Sequence, residues 1–222
     1  MNQVKKHFDR VAEKYDFYKK KNAFYYDNLK KLLKTLIPEG SRVLEFGCGT
    51  GDLLASLYPE VGYGFDLSSE MIKIAKAKYS NRKNLRFSTN LSIIPNQKST
   101  IFDYIFMSDV IEHLGNPRAE FNKLAKLMSP KTKLIVTMAN PIWEPFLLIA
   151  EKLGLKMPEG PHKRVAFDDL RIMIEDLGMK ITEHDYYLLV PVKIPFVTDF
   201  ANKYLIKILK PLAFIEYFVI IK

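Results

Sequence analysis

Apolar positions recur every three or four residues in two stretches near the start of the chain. Phe8, Val11, Ala12 and Tyr15 fall on one helical face, and Leu29, Leu32, Leu33 and Leu36 on another. Helices are therefore predicted over 3–15 and 22–36. Pro38-Glu39-Gly40 marks a turn, and the pattern then changes. Short apolar runs at 42–46, 61–65, 85–88, 102–107 and 133–138 read as strands. Between them, Ser68 is a helix cap for 69–80, whose apolar face is Met71, Ile72, Ala75 and Tyr79. Asn116-Pro117 starts another helix that ends near Met128, with a capping side chain and proline at the first helical position. Strands alternating with helices imply a parallel sheet with helices on both faces. Beyond 140 the pattern shifts again. Residues 142–155 are apolar on most sides, and Asp168 is expected to cap a last core helix that stops at Gly178. Strands at 179–190 and 214–221 would close the sheet as an antiparallel pair. Between them an amphipathic helix is predicted over 198–210, with Phe200, Ala201, Tyr204, Leu205, Ile208 and Leu209 opposite Lys203, Lys207 and Lys210. No repeat, low-complexity tract or linker divides the chain, so one domain is expected over 1–222.

Composition narrows this picture only a little. The 222 residues are 48% hydrophobic, enough for a sizeable core, and the single cysteine, Cys48, excludes an intramolecular disulfide. The net charge of +9 is uneven: residues 1–40 hold ten Lys/Arg against five Asp/Glu, and residues 191–222 hold five lysines against two acids. Such ends attract nucleic acid, anionic lipid or acidic ligands, but solvated helix faces account for them equally well. The opening Met1-Asn2-Gln3-Val4-Lys5-Lys6-His7 lacks the apolar core of a signal peptide, and no apolar run approaches membrane-spanning length. The expectation is a cytoplasmic protein.

The chemistry is concentrated at 42–51, Arg-Val-Leu-Glu-Phe-Gly-Cys-Gly-Thr-Gly, followed fifteen residues later by Tyr63-Gly64-Phe65-Asp66. A strand ends in glycines at alternate positions, a helix-compatible segment follows, and a second strand ends in an acid. Parallel sheets build nucleotide sites in this way. Glycine lets backbone approach a ligand, a helix start offers unpaired N–H groups to an anion, and Asp66 can accept two hydrogen bonds from a ribose diol. The dinucleotide spacing G-x-G-x-x-G fits Gly47 and Gly49, but its third position is Asp52. The spacing present is G-x-G-x-G, preceded by Glu45.

Glu45-Phe46-Gly47-Cys48-Gly49-Thr50-Gly51 resembles motif I of the class I S-adenosylmethionine methyltransferases. Gly64-Phe65-Asp66-Leu67-Ser68-Ser69-Glu70-Met71 resembles the second motif. Phe102 to Ser108 resembles the fourth strand, and Leu127-Met128-Ser129-Pro130 followed by Lys133 to Thr137 resembles the turn into the fifth. The resemblance covers about residues 40–140 in order. It implies an α/β, Rossmann-like fold: a seven-stranded, mostly parallel sheet of order 3-2-1-4-5-7-6 with an antiparallel last strand. The chain would divide into a helical cap over 1–40, a cofactor-binding core over 41–140 and acceptor-side helices and closing strands over 141–222. It also implies S-adenosyl-L-methionine as cofactor, with S-adenosyl-L-homocysteine as product. By position, Gly47, Gly49 and Gly51 would pass beneath its methionine and ribose parts, with Cys48 a small side chain that fits the loop. Glu45 would face its ammonium, Asp66 its ribose hydroxyls, and Leu67 its adenine. Related enzymes place an acid after strand three; here Asn90, beside Leu91, stands there and keeps an acceptor oxygen. Ser108 ends strand four within reach of the cofactor. Tyr15, in Ala12-Glu13-Lys14-Tyr15-Asp16, resembles the A-x-x-Y-D of quinone-biosynthesis methyltransferases, whose helix covers the site.

Methyl transfer from a sulfonium needs the nucleophile and methyl held in line, and a base when the nucleophile is poor. Val110-Ile111-Glu112-His113-Leu114 resembles the V-x-E-H-L of the ubiquinone and menaquinone methyltransferase group, which makes His113 a candidate base. Asp109, Glu112 and His113 could alternatively hold a divalent metal. His162, in Pro161-His162-Lys163-Arg164, is a second candidate near the acceptor, where Lys163 and Arg164 could bind an acidic group. For the acceptor, Asn140-Pro141-Ile142-Trp143 follows strand five and lacks the second proline of DNA N-methyltransferases. Cys48 is misplaced for cytosine-C5 chemistry, and the paired glutamates of protein-arginine enzymes are missing. The apolar segments at 142–155 and 198–210, with the lysine stripe, fit a small or lipid-like acceptor methylated on oxygen or carbon, with peripheral membrane contact. RNA or protein methylation, or a non-catalytic cofactor-binding scaffold, are the alternatives.

Overall fold

The structure is a computed structural model that describes residues 2–91, 102–158 and 160–222. Helices α1 (Asn2–Lys21) and α2 (Ala23–Leu36) precede strand β1 (Arg42–Phe46). There follow α3 (Asp52–Ser56), β2 (Val61–Phe65), α4 (Ser69–Lys78), β3 (Leu85–Ser88), β4 (Tyr104–Ser108), α5 (Pro117–Leu127) and β5 (Lys133–Ala139). The chain closes with α6 (Glu144–Lys152), α7 (Phe167–Asp176), β6 (Lys180–Tyr187), α8 (Val197–Lys203) and β7 (Ile215–Ile221). The strands form one seven-stranded sheet in the order β3-β2-β1-β4-β5-β7-β6, as expected. β1 to β5 pair in parallel, and β7 runs antiparallel to both β5 and β6.

Each face of the sheet carries its own apolar cluster. Leu29, Leu32 and Leu33 of α2 and Leu53 and Leu54 of α3 pack on Val43, Phe106 and Ile135 on one face. Phe121 and Leu124 of α5 and Leu170 and Ile174 of α7 pack on Leu44, Ile105 and Phe218 on the other. Alternate residues of one strand thus enter opposite cores, which is why the central strands read as continuous apolar runs. Ser68 caps α4 by accepting from the Met71 amide at 3.1 Å, and Asn116 caps α5 by accepting from the Ala119 amide at 3.1 Å.

Three elements differ from expectation. α1 does not stop at Tyr15 but continues to Lys21, because Lys19 turns inward on the same stripe as Ala12 and Tyr15. Asp168 is not the cap of α7: the chain turns in at Ala166, which offers no side-chain bond, and Asp168 and Asp169 occupy the first turn, where negative charge suits the helix dipole. The helix predicted over 198–210 breaks after Lys203 into a short 3-10 turn at Leu205–Lys207, hemmed between Pro195 and Pro211. Phe200, Tyr204 and Ile208 consequently face outward instead of into the core.

Candidate functional site

Strand β1 delivers the glycine loop at the sheet's C-terminal edge. Gly47 has φ +82° and Gly49 φ +50°, in the left-handed region where a Cβ is costly. A Cβ on Gly47 would lie 2.4 Å from the Val110 side chain, and one on Gly49 would lie 3.0 Å from the Tyr15 ring. The loop is therefore packed face to face with α1 and with the turn after β4. Cys48 is buried, and burial pushes its thiol well above the ordinary range, so it fills space.

The two acids flanking the loop are held by backbone. Glu45 is buried, and its Oε2 accepts from the Leu54 amide at 3.0 Å, in the first turn of α3. The amide that the sequence offered to an external anion is taken by the protein's own carboxyl group. Burial raises the Glu45 pKa to about 8, although the nearby Lys19 ammonium and the Leu54 amide pull it down. A carboxyl raised this way favours folding fully below its ordinary pKa, and that contribution is lost as pH rises through about 8. Melting temperature is thus expected to fall between pH 5 and pH 8, and Glu45→Gln, which keeps an acceptor for Leu54, to flatten that fall. An unchanged slope would mean the burial of Glu45 is not felt. At the end of β2, Asp66 accepts from Gly49 N and Ser68 N, both at 2.8 Å, leaving further lone pairs on each oxygen. Leu67 is partly buried beside it, and Asn90 and Leu91 line a small cavity with Phe65 and Ser88.

α1 lies across this edge and is stitched down by polar contacts. Asp9 accepts from Ser68 Oγ at 2.6 Å, Asp16 accepts from Thr50 Oγ1 at 2.6 Å, and Asp16 pairs with Lys78 at 2.7 Å. Lys19 stands 3.8 Å from Asp52, with its ammonium 4.8 Å from the centre of the Tyr15 ring and 5.2 Å from that of Tyr26. Sequence reasoning missed Lys19 because it sits in a run of three lysines. The available signal was spacing, since Lys19 lies four residues, about one helical turn, after Tyr15.

The turn after β4 carries the second half of the site. Asp109 is left-handed at φ +54°, a conformation Asp tolerates better than most residues. Its Oδ2 accepts from Tyr25 Oη at 2.7 Å. Glu112 is buried, with Oε1 3.4 Å from Arg164, and burial together with Asp109 raises its pKa to about 7. Four buried side-chain oxygens among the described residues lack a hydrogen-bond partner: Ser108 Oγ, Asp109 Oδ1, Glu112 Oε2 and Thr137 Oγ1. Ser108 ends β4, Asp109 and Glu112 belong to the turn after it, and Thr137 lies in the neighbouring strand β5. Ser108 and Thr137 are register partners across the two strands.

Both histidines are held by partners within the fold. His113 Nδ1 lies 3.1 Å from the Pro161 carbonyl, and the ring is edge-on to Phe8 and His162. Burial lowers its pKa to about 4. Both ring nitrogens of His162 face acceptors, Gly160 O and Glu144 Oε1, each at 3.0 Å. Glu144 also pairs with Arg164, so this histidine belongs to an ionic lattice between α6 and the segment before α7. Nor do Asp109, Glu112 and His113 converge as a metal cluster: among the described residues no group of three or more His, Cys, Asp or Glu is placed to hold an ion.

A glycine loop flanked by Glu45 and Asp66, on a sheet of this order, leaves one family to consider, and its defining pattern matches residues 15–183. The chain belongs to the methyltransferase domain family. S-adenosylmethionine is its cofactor. A ubiquinone biosynthesis O-methyltransferase of Rhodopseudomonas palustris is 32% identical over 157 residues, covering 65% of this chain and 60% of the relative. The chain thus spans less than two thirds of that enzyme's length. Among solved structures, an S-adenosylmethionine-dependent methyltransferase of Thermotoga maritima superimposes with TM-score 0.71 over 99% of both chains at 17% identity. A Haloferax volcanii methyltransferase, seen in complex with the Trm112 methyltransferase activator, gives 0.69 over 96% of both chains at 17% identity. These two likenesses speak to the fold. The residues present suit the cofactor: the loop offers bare backbone at Gly47 and Gly49, with acids on either side. The Tyr15 ring and the Val110 side chain pack beside that backbone.

Proposed function

We propose that the protein transfers a methyl group from S-adenosylmethionine to a small, lipophilic acceptor that it meets at a lipid surface. When bound, the cofactor supplies a methyl group activated by a positively charged sulfur. Gly47, Gly49 and Gly51 would carry its methionine and ribose parts, Glu45 its ammonium and Asp66 its ribose diol. Leu67, Asn90 and Leu91 would flank adenine, and Tyr15 and Ser108 would close over it. α1 and the Tyr15 ring exclude water from the reacting centre.

The observation that carries the acceptor class is the outer surface of the C-terminal third. Phe146 and Ile149 of α6 and Leu153 just after it face solvent, and so do Val192, Ile194, Phe196, Phe200, Ile208 and Leu212. Phe196 is 90% exposed and left-handed at φ +62°, a strained backbone for an aromatic residue that turns its ring outward. The two patches are continuous, since Trp143 Nε1 donates to Leu212 O at 2.9 Å and Asn140 donates to Pro211 O at 2.9 Å. Exposed apolar area on this scale marks an interaction surface. Lys193, Lys203 and Lys207 stand within it beside one acid, Asp199, while Lys210 at its edge pairs with Asp185; the remaining positive charge matches an anionic bilayer. No helix among the described residues is long and apolar enough to cross a membrane.

Cosedimentation with vesicles tests this surface. The protein should bind phosphatidylglycerol vesicles at least about tenfold better than phosphatidylcholine vesicles, and less well as salt rises. Phe196→Glu with Ile208→Glu should abolish the difference. Because the Haloferax neighbour is seen with an activator protein, a protein partner is the competing occupant. Equal, negligible binding to both vesicle types would favour it.

A further inference from the structure

The four orphaned oxygens on β4, the turn after it and β5 share one location and one character. Burying a polar group without a partner is costly, and such groups call for a ligand that completes them. Glu112 is 5% exposed and Thr137 is fully buried, so solvent does not serve them. Each carboxyl group is held by one oxygen and leaves the other open. Tyr25 fixes Asp109 Oδ2, Arg164 fixes Glu112 Oε1, and Asp109 Oδ1 and Glu112 Oε2 stay unpaired.

The surroundings are aromatic, and the charges of Lys156 and Arg164 act on both acids. Tyr25 packs edge-on to Tyr26 at 5.1 Å and to Phe214 at 5.4 Å, and Trp143 meets Phe214 at 5.6 Å. A neighbouring ammonium, that of Lys19, already lies over the Tyr15 and Tyr26 rings. Aromatic faces and carboxylates together are the chemistry that recognises a protonated amine.

We propose that Asp109 and Glu112 form the acceptor seat of this methyltransferase, and that the acceptor presents an amine nitrogen. This deepens the preceding reading and rests on it, replacing the oxygen or carbon nucleophile expected from sequence by nitrogen. The bound ammonium gives one proton to a carboxylate, an O–H forming as an N–H breaks. The freed nitrogen lone pair then bonds the methyl carbon, and the pair of the cleaved C–S bond stays on sulfur. Nitrogen becomes positive as the methyl arrives, and that charge develops between two acids that stabilise it. A phenolate would instead add a further negative charge beside the two acids. Ser108 Oγ and Thr137 Oγ1 orient the remaining N–H groups.

Octylamine and octanol are matched probes, protonated amine against neutral alcohol on the same chain. Calorimetry of each into the complex with S-adenosylhomocysteine, which carries no methyl to transfer, should show octylamine binding at least tenfold tighter. Asp109→Asn, which tolerates the left-handed backbone, and Glu112→Gln should each weaken octylamine about tenfold and leave octanol unchanged. S-adenosylhomocysteine should bind both variants as it binds the parent. Equal binding of the two probes, or octylamine binding untouched in the double variant, overturns the amine seat. If S-adenosylhomocysteine itself fails to bind the unaltered protein, the methyltransferase reading falls instead. Tyr25→Phe, which frees Asp109 Oδ2 without touching either acid, should weaken octylamine by a smaller factor; no change would contradict the role given to Tyr25.

Discussion

Asp66→Ala is expected to raise the Kd for S-adenosylhomocysteine about 100-fold, the equivalent of two charge-assisted hydrogen bonds to a ribose diol. The side chain has the right setting: its two oxygens are aimed by Gly49 N and Ser68 N, so the remaining lone pairs are oriented before any ligand arrives. Losing the carboxylate also frees two backbone amides, which loosens the loop. Asp66→Asn separates the effects, since it keeps one acceptor and one backbone bond. It should cost about tenfold in affinity and little in melting temperature. Isothermal calorimetry reads both variants. An Asp66→Ala protein that is folded by circular dichroism and binds as tightly as its parent would mean that the ribose lies elsewhere.

Gly47→Ala should be the most destabilising single change in the loop. Its Cβ would lie 2.4 Å from Val110 Cγ2, on a backbone at φ +82° that alanine rarely adopts. Left-handed strain and overpacking each cost about 1–3 kcal/mol, so about 4 kcal/mol together is reasonable. For a chain of this length that is a loss of about 10 °C in melting temperature. Val110→Ala in the same protein removes the clash but not the strain, and should recover about half of the loss. Scanning calorimetry of the single and double variants distinguishes the two contributions, and a double variant no better than Gly47→Ala would assign the whole cost to backbone.

What was legible in the sequence follows from the range over which each feature is decided. The glycine loop and the strands around it answer to local backbone demands, so their spacing showed the alternating strands and helices and a nucleotide-type loop, while the strand order and the cofactor came from the family resemblance that those motifs carry. Ser68 and Asn116 cap their helices through bonds three residues away, and both were readable. The acceptor side depends on partners far along the chain. Tyr25 meets Asp109 across 84 residues, and His113 meets Pro161 across 48. No local pattern shows that Asp109 would keep one oxygen open while His113 is turned to a carbonyl. The lysine-striped segment at 198–210 misled for another reason. Its apolar spacing is helical, but Pro195 and Pro211 bracket it, and only Ala201 and Ile206 pack into a small cluster with Leu189 and Ala213, while Phe200, Tyr204 and Ile208 face outward. Spacing reports periodicity; it does not report what covers the face.

α1 joins the two halves. It covers the glycine loop through Tyr15, brings Lys19 beside Asp52, and leads directly into α2, which brings Tyr25 and Tyr26 to the acid pair. On the proposed reading, cofactor and acceptor approach these two successive helices from two sides, and the exposed apolar surface of the C-terminal third lies beyond the acceptor side.

The decisive measurement is the fate of a labelled methyl group. Protein incubated with methyl-labelled S-adenosylmethionine and separate lipid, RNA and protein fractions of a cell extract should label the lipid fraction. The RNA and protein fractions should stay at background, and Asp66→Ala should abolish the signal. Label confined to RNA or to protein, with the lipid fraction blank, would contradict a lipophilic acceptor.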